Sequence, residues 1–119
     1  MTDAALFIGW GEVVRGRESK ALDVFNESLQ YYARLQQDGT VESFDAWFLA
    51  PHGGDLAGFI LLRGERERLD EVQRGPEFEL LMARAGMIVD RVGVVNAYTG
   101  DALGRLVGQF QAATAELGT

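Results

Sequence analysis

Residues 4–14 alternate two sets of side chains, Leu6, Ile8, Trp10 and Glu12 against Phe7, Gly9, Gly11 and Val13, as in a strand covered on both faces. Arg15-Gly16-Arg17 breaks the pattern. Over residues 17–37 the apolar positions Leu22, Phe25, Leu29 and Tyr32 recur at three and four, which predicts a long amphipathic helix ended by Asp38-Gly39. Helical spacing predicts that one of Tyr31 and Tyr32 packs while the other sits at the rim. Residues 41–49 and 56–64 are β-rich runs joined by the hairpin loop Ala50-Pro51-His52-Gly53-Gly54-Asp55. Residues 65–74 read as a polar helix, Gly75-Pro76 interrupts it, and Pro76 starts a second helical piece through Gly86. Val-rich residues 88–99 predict the last strand, and Gly100-Asp101 can cap a final helix running to Leu117.

The order β-α-β-β-α-β-α predicts a single α+β domain over residues 1–119. With right-handed crossovers it closes into one four-stranded antiparallel sheet of spatial order 4-1-3-2, with the helices on one face. Pairing the two central runs through the loop sets Phe48 across from Ala57, Ala46 from Phe59, Phe44 from Leu61 and Glu42 from Arg63. Gly9, Gly11, Gly58 and Gly93 are expected under the helices, where a missing side chain allows close approach. The opposite face then carries Leu6, Ile8, Trp10, Glu12, Phe44, Phe48, Phe59, Leu61, Val92, Val94, Asn96 and Tyr98. A face so apolar does not stand in water, and its simplest cover is the same face of a second copy. A homodimer through the helix-free sheet face is expected.

At 119 residues the chain can bury a core without metal or disulfide staples. Eleven basic against eighteen acidic residues give a net charge of −7, which disfavours nucleic acid and anionic membrane surfaces as partners. The absence of cysteine removes disulfides, thiolate metal sites and thiol nucleophiles, and with them the marks of an oxidising compartment. The opening Met1-Thr2-Asp3-Ala4-Ala5 lacks the basic stretch of an export signal, and no apolar run approaches the roughly 20 residues that span a bilayer. A cytoplasmic protein is expected.

The stretch Gly75-Pro76-Glu77-Phe78-Glu79-Leu80-Leu81-Met82-Ala83-Arg84-Ala85, followed by Ile88-Val89-Asp90-Arg91-Val92-Gly93-Val94-Val95, resembles the second helix and last strand of the dimeric α+β barrel superfamily. These are ferredoxin-like domains whose two sheets stack face to face with helices outside, and the chain looks closest to small bacterial members without known activity. The resemblance implies a homodimer with a cavity between its sheets. It spans cofactor-independent monooxygenases, lactone isomerases, heme-degrading enzymes, peroxidases and members with no known activity, and fold does not choose among them.

His52, the single histidine, lies in the hairpin between Pro51 and Gly53, in solvent, whereas heme-binding relatives place their ligand on a helix or deeper in the barrel. No metal or other cofactor is expected: a zinc site would need carboxylates for most of its ligands. Gly9-Trp10-Gly11 starts like a dinucleotide fingerprint but has Val14 where the third glycine belongs, and His52-Gly53-Gly54-Asp55 lacks the lysine of a phosphate loop. The candidate ligand-binding residues on the helix-free face are Trp10, Glu12, Phe59, Arg63, Asn96 and Tyr98. Few polar groups on apolar walls suit a small apolar or aromatic ligand. In an enzyme Glu12 would move protons while Trp10, Asn96 and Tyr98 orient the substrate. Three functions fit: a binding protein, a cofactor-independent monooxygenase or isomerase, and an interaction module whose cavity is filled by side chains.

Overall fold

The computed structural model describes residues 3–118; Met1 and Thr2, read above for an export signal, lie outside the described residues. The elements are β1 (Ala4–Trp10), α1 (Glu18–Gln37), β2 (Ser43–Phe48), β3 (Gly58–Gly64), α2 (Arg66–Arg74), α3 (Pro76–Ile88), β4 (Gly93–Tyr98) and α4 (Gly100–Glu116). The strands form one antiparallel sheet ordered β2-β3-β1-β4, the expected 4-1-3-2 arrangement read from its other edge. Gly75, in an extended conformation, separates α2 from α3, and Pro76 opens α3 where its missing N–H costs nothing. Among the described residues no helix is long and apolar enough to cross a membrane.

Two boundaries differ most from expectation. The first strand ends at Trp10, and the segment expected to begin the last strand instead completes α3 and then pairs with the chain just beyond β1. Gly11 N–H donates to the Asp90 carbonyl at 2.8 Å, Asp90 N–H to that of Glu12 at 2.9 Å, and Val14 N–H to that of Ile88 at 2.8 Å. Arg91 turns the chain into β4 with a left-handed φ of 53°, its guanidinium 2.9 Å from the Asp55 carboxylate.

The faces of the sheet are the larger correction. Leu6 and Ile8 pair with Leu62 and Ile60, and all four are buried in one core with Tyr31, Tyr32, Leu69, Val72, Phe78 and Leu81 from the helices. Trp10, Phe44 and Val94 pack on the same core, so Leu6, Ile8, Trp10, Phe44, Phe48 and Val94 face the helices and not the open side. In β2 the cause is a slip of one residue: Phe44 pairs with Leu62, Ala46 with Ile60 and Phe48 with Gly58, and a slip of one sends each side chain to the other face. In β1 both alternating sets are apolar, so alternation alone leaves the strand unoriented.

The glycines misdirect the assignment for a related reason. Gly9 and Gly93 oppose each other on the helix-free face, where a Cβ on Gly9 would lie 2.7 Å from Cε1 of the Phe7 ring. Gly9 makes room for an aromatic ring, not for a helix, whereas a Cβ on Gly93 would meet no neighbour. Gly11 sits beyond β1 against Asp90, and Gly58 alone of the four lies on the helix side, its missing side chain replaced by the Trp10 ring.

The helix-free face remains apolar, with different residues. Trp47 stacks on Phe59 at 6.0 Å between centroids, Phe59 stacks on Phe7 at 4.9 Å, and Leu61, Val95 and Ala97 extend the surface. Tyr31 and Tyr32 are both buried, against the expectation of one rim residue, because α1 packs on the sheet and on α3 with adjacent sides. Finally, α4 is tied at its start by Asp3, whose carboxylate accepts from Ala102 N–H at 2.9 Å, and not by Gly100-Asp101. Beyond Ala102 it is little covered, with Leu103, Val107, Phe110 and Leu117 exposed at three- to seven-residue spacing.

Candidate functional site

Close packing fails between the sheet and its helices at the end of β1 that carries Trp10. Ile8 and Trp10 of β1, Ile60 of β3 and Phe48 of β2 form a floor, and Val24, Phe25, Ser28 and Tyr32 of α1 with Met82, Ala85 and Ile88 of α3 form a roof. They border a half-open cavity of about 360 Å³, inside the range of small-molecule sites. The local sequence explains the gap: Ala21 and Ser28, two turns apart on α1, and Ala85 of α3 all line it, so small side chains stand where large ones would fill the space.

One wall is aromatic. Trp10 meets Phe25 edge-on at 6.1 Å and Phe48 at 6.2 Å, while Phe25 and Phe48 lie 4.9 Å apart. Such rings offer both faces and edges to another aromatic ring. The mouth is marked by lining residues that stay in water: Leu22 is 63% and Phe48 69% exposed, and Glu18 is exposed beside them. Tyr32 lies behind this lining, with no exposed surface.

Polar groups are few. Ser28 Oγ donates to the Val24 carbonyl at 2.8 Å, and Glu18 at the mouth is the single charged residue of the lining. The Tyr32 hydroxyl is buried and meets no hydrogen-bond partner. Burial, with a smaller contribution from Tyr31, pushes the Tyr32 phenol well above the usual tyrosine range, so it is a neutral donor.

The expected site residues are distributed over the molecule. Trp10 lines the cavity. Glu12 lies past the end of β1, exposed, with its carbonyl bonded to Asp90 N–H. Phe59 and Arg63 point to the helix-free face, Phe59 in the stack with Phe7 and Trp47, and Arg63 exposed beside Ser43. Asn96 and Tyr98 share the helix side with Trp10 but sit toward the opposite end of β4. There Arg66 donates to Asn96 Oδ1 at 2.9 Å and to the Ala97 carbonyl at 3.2 Å, Gln73 donates to Asn96 Oδ1 at 3.2 Å, and the Arg66 guanidinium lies 5.0 Å from the Tyr98 ring centre. This cluster clamps α2 to the edge strand. His52 binds its own loop: Nδ1 accepts from Gly54 N–H at 3.1 Å, which leaves the proton on Nε2, 2.8 Å from the Leu56 carbonyl.

Sequence reasoning passed over Tyr32, Ser28, Phe25, Met82 and Ala85 as cavity residues. The available signal was Ala21 and Ser28 within an otherwise bulky apolar stripe. A second hollow lies outside the α1–α3 seam, but its charges are used on one another: Arg34 pairs with Glu77, and Arg84 with Glu27 at 2.5 Å.

No protein-family model and no curated protein matches the sequence. Solved structures do match in shape. A dimeric protein of unknown function and ferredoxin-like fold from Bacteroides fragilis superposes with a TM-score of 0.58 at 9% identity, covering 80% of this chain and 95% of that one. An ethyl tert-butyl ether d (ethd) family protein from Bacillus halodurans gives 0.60 at 10% identity, covering 84% and 100%. SnoaB, a cofactor-independent oxygenase from Streptomyces nogalater, gives 0.54 at 13% identity, covering 85% and 97%. The fold is therefore ferredoxin-like, as the sequence resemblance implied.

Proposed function

We propose that this protein is a homodimer that takes up a small, uncharged apolar or aromatic molecule in the cavity beneath α1 and α3. The observation that carries the reading is the cavity itself, about 360 Å³ of space walled by Trp10, Phe25 and Phe48. Packed interiors hold few voids larger than a water molecule, and an apolar cavity open to water forgoes the burial of its walls. A ligand that fills it recovers that loss. The dimer follows from the helix-free face, where Phe7, Trp47, Phe59, Leu61 and Val95 form a surface that a second copy can cover, and it is in keeping with the dimeric protein from Bacteroides fragilis.

The test is to fill the space from within. Ala85→Phe is expected to abolish the thermal shift given by two-ring aromatics such as naphthalene or tetralin while leaving the circular dichroism spectrum unchanged. Shifts of equal size in wild type and Ala85→Phe would place binding elsewhere.

The likeness to SnoaB favours a second reading, cofactor-independent oxygenation of an aromatic substrate in the same cavity. Wall residues here would orient the substrate and exclude water, with dissolved dioxygen as the oxidant. Oxygen uptake with an electron-rich polycyclic phenol, lost in Ala85→Phe, supports the enzyme. Binding of the same phenol without uptake supports the binder.

A further inference from the structure

Helix α4 carries an apolar stripe that the described residues of the protomer leave open. Only Ala102 of this helix is buried, while Leu103 is 49%, Phe110 73% and Leu117 79% exposed. The root of the helix is nevertheless held in place. Thr99 N–H donates to the Asp3 carbonyl at 3.0 Å, the Asp3 carboxylate accepts from Ala102 N–H at 2.9 Å, and Gly100 turns the chain with a φ of 58°. The start of β1 therefore sets the direction in which α4 leaves the sheet, and its bare face belongs to the fold and not to a loose tail.

The stripe is symmetric about Phe110. At about 100° per residue, Leu103 and Leu117 lie about 20° to either side of Phe110, Leu106 and Thr114 about 40°, and Val107 and Ala113 about 60°. The charged residues Asp101, Arg105 and Glu116 lie at least about 120° away. Thr114 Oγ1 donates to the Phe110 carbonyl at 2.9 Å, so its polar atom is satisfied within the helix.

Bulk is unequal along this symmetric pattern: Leu106 and Val107 precede Phe110, and Ala113 and Thr114 follow it. A parallel copy in register would set large against large before Phe110 and small against small after it. An antiparallel copy, related by a two-fold axis at Phe110, sets Leu106 against the partner's Thr114, Val107 against the partner's Ala113 and Leu103 against the partner's Leu117. Large then meets small on both sides of the Phe110 pair, and the two helix dipoles oppose each other. With one basic against two acidic residues on α4, in a chain of net charge −7, two such helices approach with little repulsion.

The seam is too small to hold two copies alone, since these side chains of one helix fall well short of the roughly 20–30 residues a side of a stable interface. It continues, however, the surface already proposed to join them: α4 follows β4, whose Val95 and Ala97 lie on the helix-free face. Resting on the homodimer proposed above, we infer that α4 is a second contact of the same dimer, pairing antiparallel with the partner's α4 across a two-fold axis at Phe110.

The chain has no cysteine, so single cysteine substitutions in the full protein report this pairing by disulfide formation. Helix axes about 8–10 Å apart, with Cα atoms about 2.3 Å from each axis, bring facing Cα atoms within about 6 Å, which a disulfide bridges. Under mild oxidation Phe110→Cys is expected to become a covalent dimer. Leu103→Cys alone and Leu117→Cys alone are expected to stay unlinked, because in the antiparallel pair each lies about 21 Å along the helix from its own copy. An equal mixture of those two variants, after subunit exchange, is expected to link. Phe110→Cys combined with Phe59→Glu, which removes the sheet contact, is expected to lose the link. Leu103→Cys linking to itself as readily as Phe110→Cys indicates a parallel pair and overturns the assignment. No link in any variant, in a protein that light scattering shows to be a dimer, overturns the α4 pairing and leaves the homodimer reading standing, whereas a monomeric wild type overturns both. Undiminished linkage in the Phe59→Glu background overturns the claim that α4 acts within the sheet-face dimer.

Discussion

Tyr31 and Tyr32 are adjacent on α1 and both withdrawn from water, and burial is the main reason that their phenols hold their protons above the ordinary value of 10.0. Glu77 adds to the effect at Tyr31, and Tyr31 adds to it at Tyr32. Below pH 10 the folded and unfolded chains are equally protonated at these groups. Above it the unfolded chain releases protons that the folded chain retains, so their contribution to stability is whole below that pH and is lost as pH rises. Urea unfolding between pH 9 and 11 is expected to show stability falling by up to about 1.4 kcal/mol per pH unit for each such phenol, with a shallower slope in Tyr32→Phe. Equal slopes in the two proteins would contradict the buried, neutral Tyr32. In the sequence this residue was legible as a member of the apolar stripe, but not as an unpartnered donor. That property depends on which groups other elements bring to it, and here they bring none.

Between elements, the position of a strand by one residue decides what each face can do. Pairing Phe44 with Leu62 and Phe48 with Gly58 puts two of the β2 aromatics on the helix side, where Phe48 joins Trp10 and Phe25 around the cavity, and sends Trp47 to the open side against Phe59. Gly58 is the hinge of this arrangement, since a Cβ there would stand 2.7 Å both from Cζ2 of Trp10 and from the Trp47 carbonyl oxygen. Gly58→Val is accordingly expected to cost about 1–3 kcal/mol in denaturant unfolding, the range of an overpacked core, and to weaken ligand binding by displacing Trp10. Wild-type stability in this variant would show that the strand pair tolerates a shift. Element types and order were readable from periodicity, because a repeat of two or of three to four survives small errors of placement. Register was not, because the residues closing the hairpin permit more than one pairing.

As a whole the protomer is less compact than its length requires, with a radius of gyration of 16.6 Å against roughly 13.5 Å for a compact chain of this size. The excess is consistent with α4, a helix of 17 residues with Ala102 alone buried. Isolated helices of that length are marginal in water, so α4 and the Phe7–Phe59–Trp47 face both favour a second copy as their cover. Phe59→Glu would set a carboxylate between two apolar sheets, at a desolvation cost of several kcal/mol. Size-exclusion chromatography with light scattering is expected to give a dimer for wild type and a monomer for Phe59→Glu at micromolar concentration. Since the cavity lies on the other side of the sheet, ligand binding should survive in that monomer. Monomeric wild type under the same conditions would end the dimer proposal.

The sequence by itself determined the element order, the antiparallel four-stranded sheet, the helices gathered on one face and an apolar surface left over. Each of these follows from local periodicity and chain connectivity, which act within a strand or a helix and its nearest neighbour. The tertiary structure decided which set of side chains became that surface and where the hollow lies. With both faces of β1 apolar, only the joint packing of Leu6 and Ile8 against Tyr32, Phe78 and Leu81 selects the inner side, and that same packing leaves the gap beside Ala21, Ser28 and Ala85.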